Sequence, residues 1–156
     1  MKNKKKIYID MCALNRPFDD LNDFRSKMEA QAMIFLIHKI IDGSYIFFSS
    51  DVIEYEWAQM PMLGKKNLVK KIIDLSSKTI TLTKKVTELA KEFENSGIKS
   101  YDALHLASSI IGKCNYLIST DDKFLKKAKK TTQKIQALNP VEFYLNESRQ
   151  EGDKNE

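Results

Sequence analysis

Acidic residues stand at the places where this 156-residue chain changes from one apolar pattern to the next. Asp10 closes the short run Lys6-Ile7-Tyr8-Ile9. Glu54 and Glu56 follow the run Tyr45 to Ser49, within Ser50-Asp51-Val52-Ile53-Glu54-Tyr55-Glu56. Asp121 and Asp122 follow Asn115 to Ser119. Asp102 opens the apolar segment Ser100 to Ile111. If the short runs are parallel strands, their carboxyl ends are where an open sheet binds ligands. Four acidic sites then converge on one edge, with no equal number of cations placed to neutralise them. Gathered carboxylates repel, so their pKa values rise or a multivalent cation joins them. An oxygen-only ligand set suits Mg²⁺ or Mn²⁺ rather than zinc. A cation held this way makes a bound water more acidic and steadies charge on a phosphoryl oxygen. Phosphodiester hydrolysis is the chemistry this arrangement would do. Any one strand-end acid is equally well explained as a helix N-cap; the convergence of four favours the site.

The elements that must position these acids are legible from periodicity. Lys6–Asp10, Tyr45–Ser49 and Asn115–Ser119 read as strands, being short, apolar and β-branched or aromatic. Thr79–Leu82 and Lys134–Leu138 read as two more. Helical spacing places helices over Phe24–Ile41, Ser50–Gln59, Lys65–Ser76, Lys84–Asn95 and Asp121–Lys130, with a short last one at Val141–Leu145. Met11 to Asp23 reads as a loop. Gly97 is a C-terminal stop, and Ser100 is the expected N-cap of the next helix. That helix is apolar nearly all round, so it belongs inside a layer. A carboxylate buried there without a partner is costly, which makes Asp102 informative. Alternating strands and helices argue for a three-layer α/β/α sandwich with a mostly parallel sheet. Residues 1–146 form one domain, and 147–156 are expected to be a polar, frayed tail.

The totals are those of a soluble globular protein, with 42% hydrophobic and 30% charged residues. No apolar run approaches the ~18 residues of a membrane span. The basic start Met1 to Lys6 leads into a segment broken by Asp10, so no signal peptide is expected. Cys12 and Cys114 have no metal-like spacing and are expected to be reduced, in a cytoplasmic protein. Net charge is +5. Lys113, Lys123, Lys126, Lys127, Lys129, Lys130 and Lys134 crowd one region; this is either a solvated helix face or a phosphate-contacting surface.

Four segments together resemble the PIN-domain family of metal-dependent ribonucleases, which includes VapC-type toxins of toxin–antitoxin pairs. They are Tyr8-Ile9-Asp10-Met11-Cys12, Ser50 to Glu56, Tyr101-Asp102-Ala103-Leu104-His105-Leu106-Ala107, and Leu117 to Phe124 with its Thr120-Asp121-Asp122-Lys123 core. The resemblance implies cleavage of RNA by metal-activated water, leaving 5′-phosphate and 3′-hydroxyl ends. It implies Asp10, Glu56, Asp102 and Asp122 as the catalytic and metal-holding acids, with Asp121 sharing the metal. Thr120 and Cys12 are implied as supports, Cys12 standing where the family often has Ser or Thr. Arg16, Lys123, Lys126 and Lys127 are the candidate RNA contacts. A cognate antitoxin and a homodimer, through the apolar stretch Trp57–Leu63, are the implied partners beside RNA, with no membrane.

Two other readings share this layout. One is a PIN-like module that binds nucleic acid or protein without catalysis. The other is a phosphoacceptor receiver domain, which fits less well because no lysine follows at the matching place. His38 and His105 read as packed or surface histidines. Tyr55, Trp57 and Phe18 read either as core or as bases' stacking partners.

Overall fold

One sheet of five parallel strands runs through the computed structural model, which describes residues 4–61 and 63–154. β1 (Lys5–Ile9) lies in the middle. On one side come β2 (Tyr45–Ser50) and β3 (Lys78–Ile80); on the other, β4 (Tyr116–Ile118) and β5 (Gln136–Leu138). Tyr8 pairs with Phe48 on one flank and with Leu117 on the other. Strands covered on both faces have no need of alternation. Accordingly Ile7, Tyr8, Ile9, Phe47, Leu117 and Ile118 are all wholly buried. Helices cover the sheet to give a three-layer α/β/α sandwich.

The chain leaves β1 for one side of the sheet and later returns to the other. The carboxyl end of β1 is therefore a switch point, the place where such sheets form a crevice. Asp10 stands there, with its backbone N–H bonded to Ile118 O at 3.0 Å.

The helices are α1 (Met11–Asn15), α2 (Phe24–Ile41), α3 (Asp51–Ala58), α4 (Leu63–Ile73), α5 (Lys84–Asn95), α6 (Ser100–Ile111), α7 (Asp122–Thr131) and α8 (Pro140–Lys154). Two stretches of chain depart from expectation. Met11 to Asp23 is not all loop: α1 and a 3₁₀ turn at Arg16–Phe18 occupy its first half. The frayed tail expected from residue 147 is instead the second half of α8. The Tyr45 hydroxyl donates to Glu147, and Lys39 Nζ meets Glu151 at 3.2 Å, which ties that polar stretch to β2 and α2. The last residues, 155–156, and the basic start, 1–3, lie outside the described residues, as does Met62 in the stretch expected to dimerise. Among the described residues no helix is long and apolar enough to cross a membrane.

The hairpin of α5 and α6 sets the position of Asp102. α5 buries Val86, Ala90 and Phe93 on one stripe. It ends where Gly97 takes φ +98°, Gly97 N–H reaching Glu94 O and Ile98 N–H reaching Phe93 O. Ile98 is buried there, and Lys99, rather than Ser100, is the N-cap of α6, without a side-chain bond. An added Cβ at Gly97 would meet nothing within 4 Å. Gly97→Ala is thus expected to cost about 1 kcal/mol, for the left-handed backbone alone. Urea unfolding checks this; no loss would mean the turn rearranges freely.

Candidate active site

The first acid is set by a strand end and a helix start at once. Asp10 is 3% exposed. Its Oδ1 caps α1 by accepting Ala13 N–H at 3.1 Å and also accepts the Cys12 thiol at 3.0 Å. Burial raises its carboxyl above the ordinary range; His105, then hydrogen bonds from Ser119, Cys12 and Ala13, pull it partly back. The Cys12 thiol thus donates to Asp10 from the position where a hydroxyl is expected. Burial, then the Asp10 charge, pushes its thiol up to about 12. It therefore stays protonated at neutral pH and remains a donor. Its Sγ also lies 3.3 Å from Ser119 Oγ.

Asp102 sits in the first turn of α6, partly buried. Among the described residues it has no ion pair. Its carboxyl is raised to about 6, first by burial, then by the charges of Asp10 and Asp121, with His105 opposing and Glu56 adding to the rise. Three other acids thus act on Asp102, and no lysine or arginine figures among the causes. Glu56, on α3, is held to α6: its Oε1 takes the Nε2 of buried His105. Its neighbour Glu54 faces away, 3.5 Å from Lys70.

The fourth position departs from the motif-based expectation. Asp122 does not join the other acids. It is 61% exposed and forms a two-pronged pair with Arg25 of α2, at 2.5 and 2.6 Å. That pairing lowers its carboxyl. Asp121, not Asp122, is the one whose charge acts on Asp102. It caps α7 through Phe124 N–H at 3.2 Å, and its own N–H goes to Ser119 Oγ at 3.1 Å. Thr120 is buried beside Cys12 but makes no bond to Asp122 among the described residues. Ser119 is the support that sequence reading passed over. Its place at the end of β4, two residues before Asp121, was the available signal.

The expected RNA contacts divide. Arg16 is turned inward, 3.0 Å from Asp19 and 3.2 Å from Glu29. Lys127 donates to Gly97 O at 2.9 Å. Lys123 and Lys126 are exposed on α7. Trp57 belongs to packing, its Nε1 bonded to Lys66 O at 2.8 Å between α3 and α4. Tyr55 and Tyr101, each next in sequence to a site acid, are 54% and 47% exposed and lie nearly parallel, 6.4 Å apart. They line a groove of about 470 Å³ with Val52, Leu82 and Leu104. A larger groove, about 670 Å³, is apolar, lies on α2 and α8, and is lined by none of these acids.

Whether these residues suit a divalent cation can be judged from their donors. Among the described residues no three such side chains already stand close enough to hold an ion. The set is nevertheless all oxygen and mutually repelling. The bonds from Cys12 and Ala13 to Asp10 both go to Oδ1, and Glu56 Oε2 takes no hydrogen bond among the described residues. A hard cation such as Mg²⁺ or Mn²⁺ fits that chemistry.

A family model described as the PIN domain matches residues 7–130. No curated protein gives a significant match. Among solved structures, PAE2754 from Pyrobaculum aerophilum is similar at 18% identity and a TM-score of 0.55, over 92% of this chain and 94% of that one. VapBC2 from Rickettsia felis, solved bound to a DNA fragment from their promoter, is similar at 18% identity and a TM-score of 0.52, over 85% of this chain and 98% of the matched one. At these identities the two structures speak to the fold.

Proposed function

Because this chain belongs to the PIN-domain family, we propose that it is an endoribonuclease dependent on Mg²⁺ or Mn²⁺, the toxin of a toxin–antitoxin pair in the cytoplasm. The antitoxin part draws on the likeness to VapBC2. One observation carries the nuclease reading. Asp10, Asp121 and Glu56 all raise the Asp102 carboxyl, against His105 alone, and Asp102 has no ion pair among the described residues. Asp10, Asp102, Asp121 and Glu56 are the residues that would hold the metal. The cation supplies charge neutralisation at the phosphoryl oxygen and a more acidic water.

The chain's own part is positioning and proton handling. Water attacks phosphorus, the P–O3′ bond breaks, and the 3′ oxygen leaves with the bond's electron pair and takes a proton from solvent water to become a hydroxyl. The attacking water gives up a proton. Asp102 has neither oxygen hydrogen-bonded among the described residues, so it can take that proton. Asp10 and Asp121 are fixed by the helices they cap and keep the site's shape. Single-stranded RNA would lay a base against Tyr55 and Tyr101, beside Glu56 and Asp102. Stacking on an aromatic is worth about 1–3 kcal/mol per base. Tyr101→Ala is therefore expected to raise KM for a single-stranded RNA by about tenfold, with kcat little changed. Steady-state cleavage checks this, and an unaltered KM removes Tyr101 from the RNA path.

A cleavage assay tests the whole reading. A labelled RNA incubated with Mn²⁺ is expected to yield 5′-phosphate ends, and EDTA to stop the reaction. Cleavage that persists in EDTA at the same rate contradicts it. A second reading, a non-catalytic RNA-binding module, is favoured by the absence of three preassembled donors among the described residues. Salt-sensitive RNA binding without cleavage in Mn²⁺ would select it.

A further inference from the structure

A buried chain of hydrogen bonds joins three of the elements that carry the acids. At the end of β2, Ser50 Oγ caps α3 through Ile53 N–H at 3.1 Å and meets the Tyr8 hydroxyl at 2.7 Å. The same hydroxyl lies 2.6 Å from Nδ1 of His105. The other ring nitrogen, Nε2, meets Glu56 Oε1. Ser50 and Tyr8 are 0% exposed and His105 is 2% exposed. Each member sits close in sequence to an acid. Tyr8 precedes Asp10 by two residues on β1. Ser50 caps the helix that carries Glu56. His105 follows Asp102 by three residues, which puts both on one face of α6.

The protons can be assigned from the partners. An ionised Glu56 only accepts, so Nε2 must carry a proton. The Tyr8 hydroxyl, held in turn by Ser50, satisfies Nδ1 and fixes the plane of the ring. One carboxylate oxygen of Glu56 is thereby taken, and Oε2 keeps no hydrogen bond among the described residues. Outer partners that orient the groups around a metal are worth 10- to 100-fold in affinity or activity. We infer that His105 is a positioning residue for Glu56, locked by Tyr8 and Ser50, and that this relay sets how Glu56 is presented to a divalent cation. The inference rests on the nuclease reading of the acids.

Mn²⁺ affinity by electron paramagnetic resonance, with RNA cleavage alongside, tests it on the full chain. His105→Leu is expected to weaken Mn²⁺ binding about tenfold and to lower kcat by about 10- to 100-fold, with KM little changed. His105→Gln keeps an N–H for Glu56 and is expected to recover most of both. Tyr8→Phe leaves the Glu56 contact but frees the ring, so an intermediate loss is expected. Wild-type Mn²⁺ affinity in folded His105→Leu overturns the positioning role. If His105→Leu does not fold, wild-type affinity in Tyr8→Phe overturns it in the same way. A wild-type chain that binds no Mn²⁺ overturns the nuclease reading, and the relay's role with it; wild-type binding unaffected by the variants overturns the relay alone.

Discussion

Asp102→Asn is expected to cut Mn²⁺-dependent RNA cleavage by about a hundred- to a thousandfold, the scale of losing one focused electrostatic group, while making the protein more stable at neutral pH. The second half follows from linkage. The Asp102 carboxyl rises from its ordinary 3.8 to about 6 on folding, through burial and then the neighbouring charges of Asp10 and Asp121. The folded chain therefore holds this proton more tightly than the unfolded chain. The resulting stability is complete below the unfolded value and is lost as pH rises through about 6. Above that, the charged group costs a constant amount. The full shift corresponds to about 3 kcal/mol. Asp102 is only partly buried, so solvent screening leaves about 1–2 kcal/mol. Urea unfolding in EDTA between pH 4 and 7.5 checks this. Wild-type stability should fall relative to Asp102→Asn across that window, and Mg²⁺ should restore it in the wild type only. Parallel profiles for the two proteins would contradict the electrostatic argument.

The largest loss of stability is expected away from the acids, at Glu29. This carboxylate is 2% exposed on α2. It meets Arg16 Nε at 3.2 Å, Arg25 Nε at 3.5 Å and Asn139 Nδ2 at 2.5 Å. Asn139 in turn starts α8, its Oδ1 accepting Val141 N–H at 2.8 Å. Glu29 thus joins the 3₁₀ turn, α2 and α8. Removing one partner of a buried pair strands the others and typically costs ~3–5 kcal/mol. Arg25 is 57% exposed and can turn to water, which places Glu29→Ala near the lower end, about 3 kcal/mol. Glu29→Gln, which can still accept from Asn139, should lose less. Chemical unfolding measures both; a change of under about 1 kcal/mol in Glu29→Ala, the surface range, would show that this network is not what holds the loop.

What could be read from the chain depended on whether the signal was local. The helix at Phe24–Ile41 was legible because Met28, Ala32, Phe35, Leu36 and Ile40 recur at its period, and the structure has the same bounds. Asp10 could be placed from sequence because a strand end in a parallel sheet fixes where its side chain lies, and Asp102 because a carboxylate opening an apolar helix is conspicuous. α1 was missed because five residues are too few to show a period. The second half of α8 was missed because its polar residues are held by Tyr45 and Lys39, about a hundred positions away. The choice between Asp121 and Asp122 was beyond spacing. Adjacent residues at a helix start diverge, and an arginine 97 residues upstream decides which one turns out. His105 was read as a packed histidine, and it is packed. What spacing alone left unread was its partner, Glu56, 49 residues away; the three-residue step from Asp102 was the hint.

The central claim is that these carboxylates form one cation site at the end of β1. A crystal soaked in Mn²⁺ and measured for anomalous scattering tests it most directly. The expected result is an ion bound by Asp10 and Asp102, with Asp121 and Glu56 on its flanks and Asp122 still on Arg25. An ion seated elsewhere, or none at a concentration that supports cleavage, would contradict it.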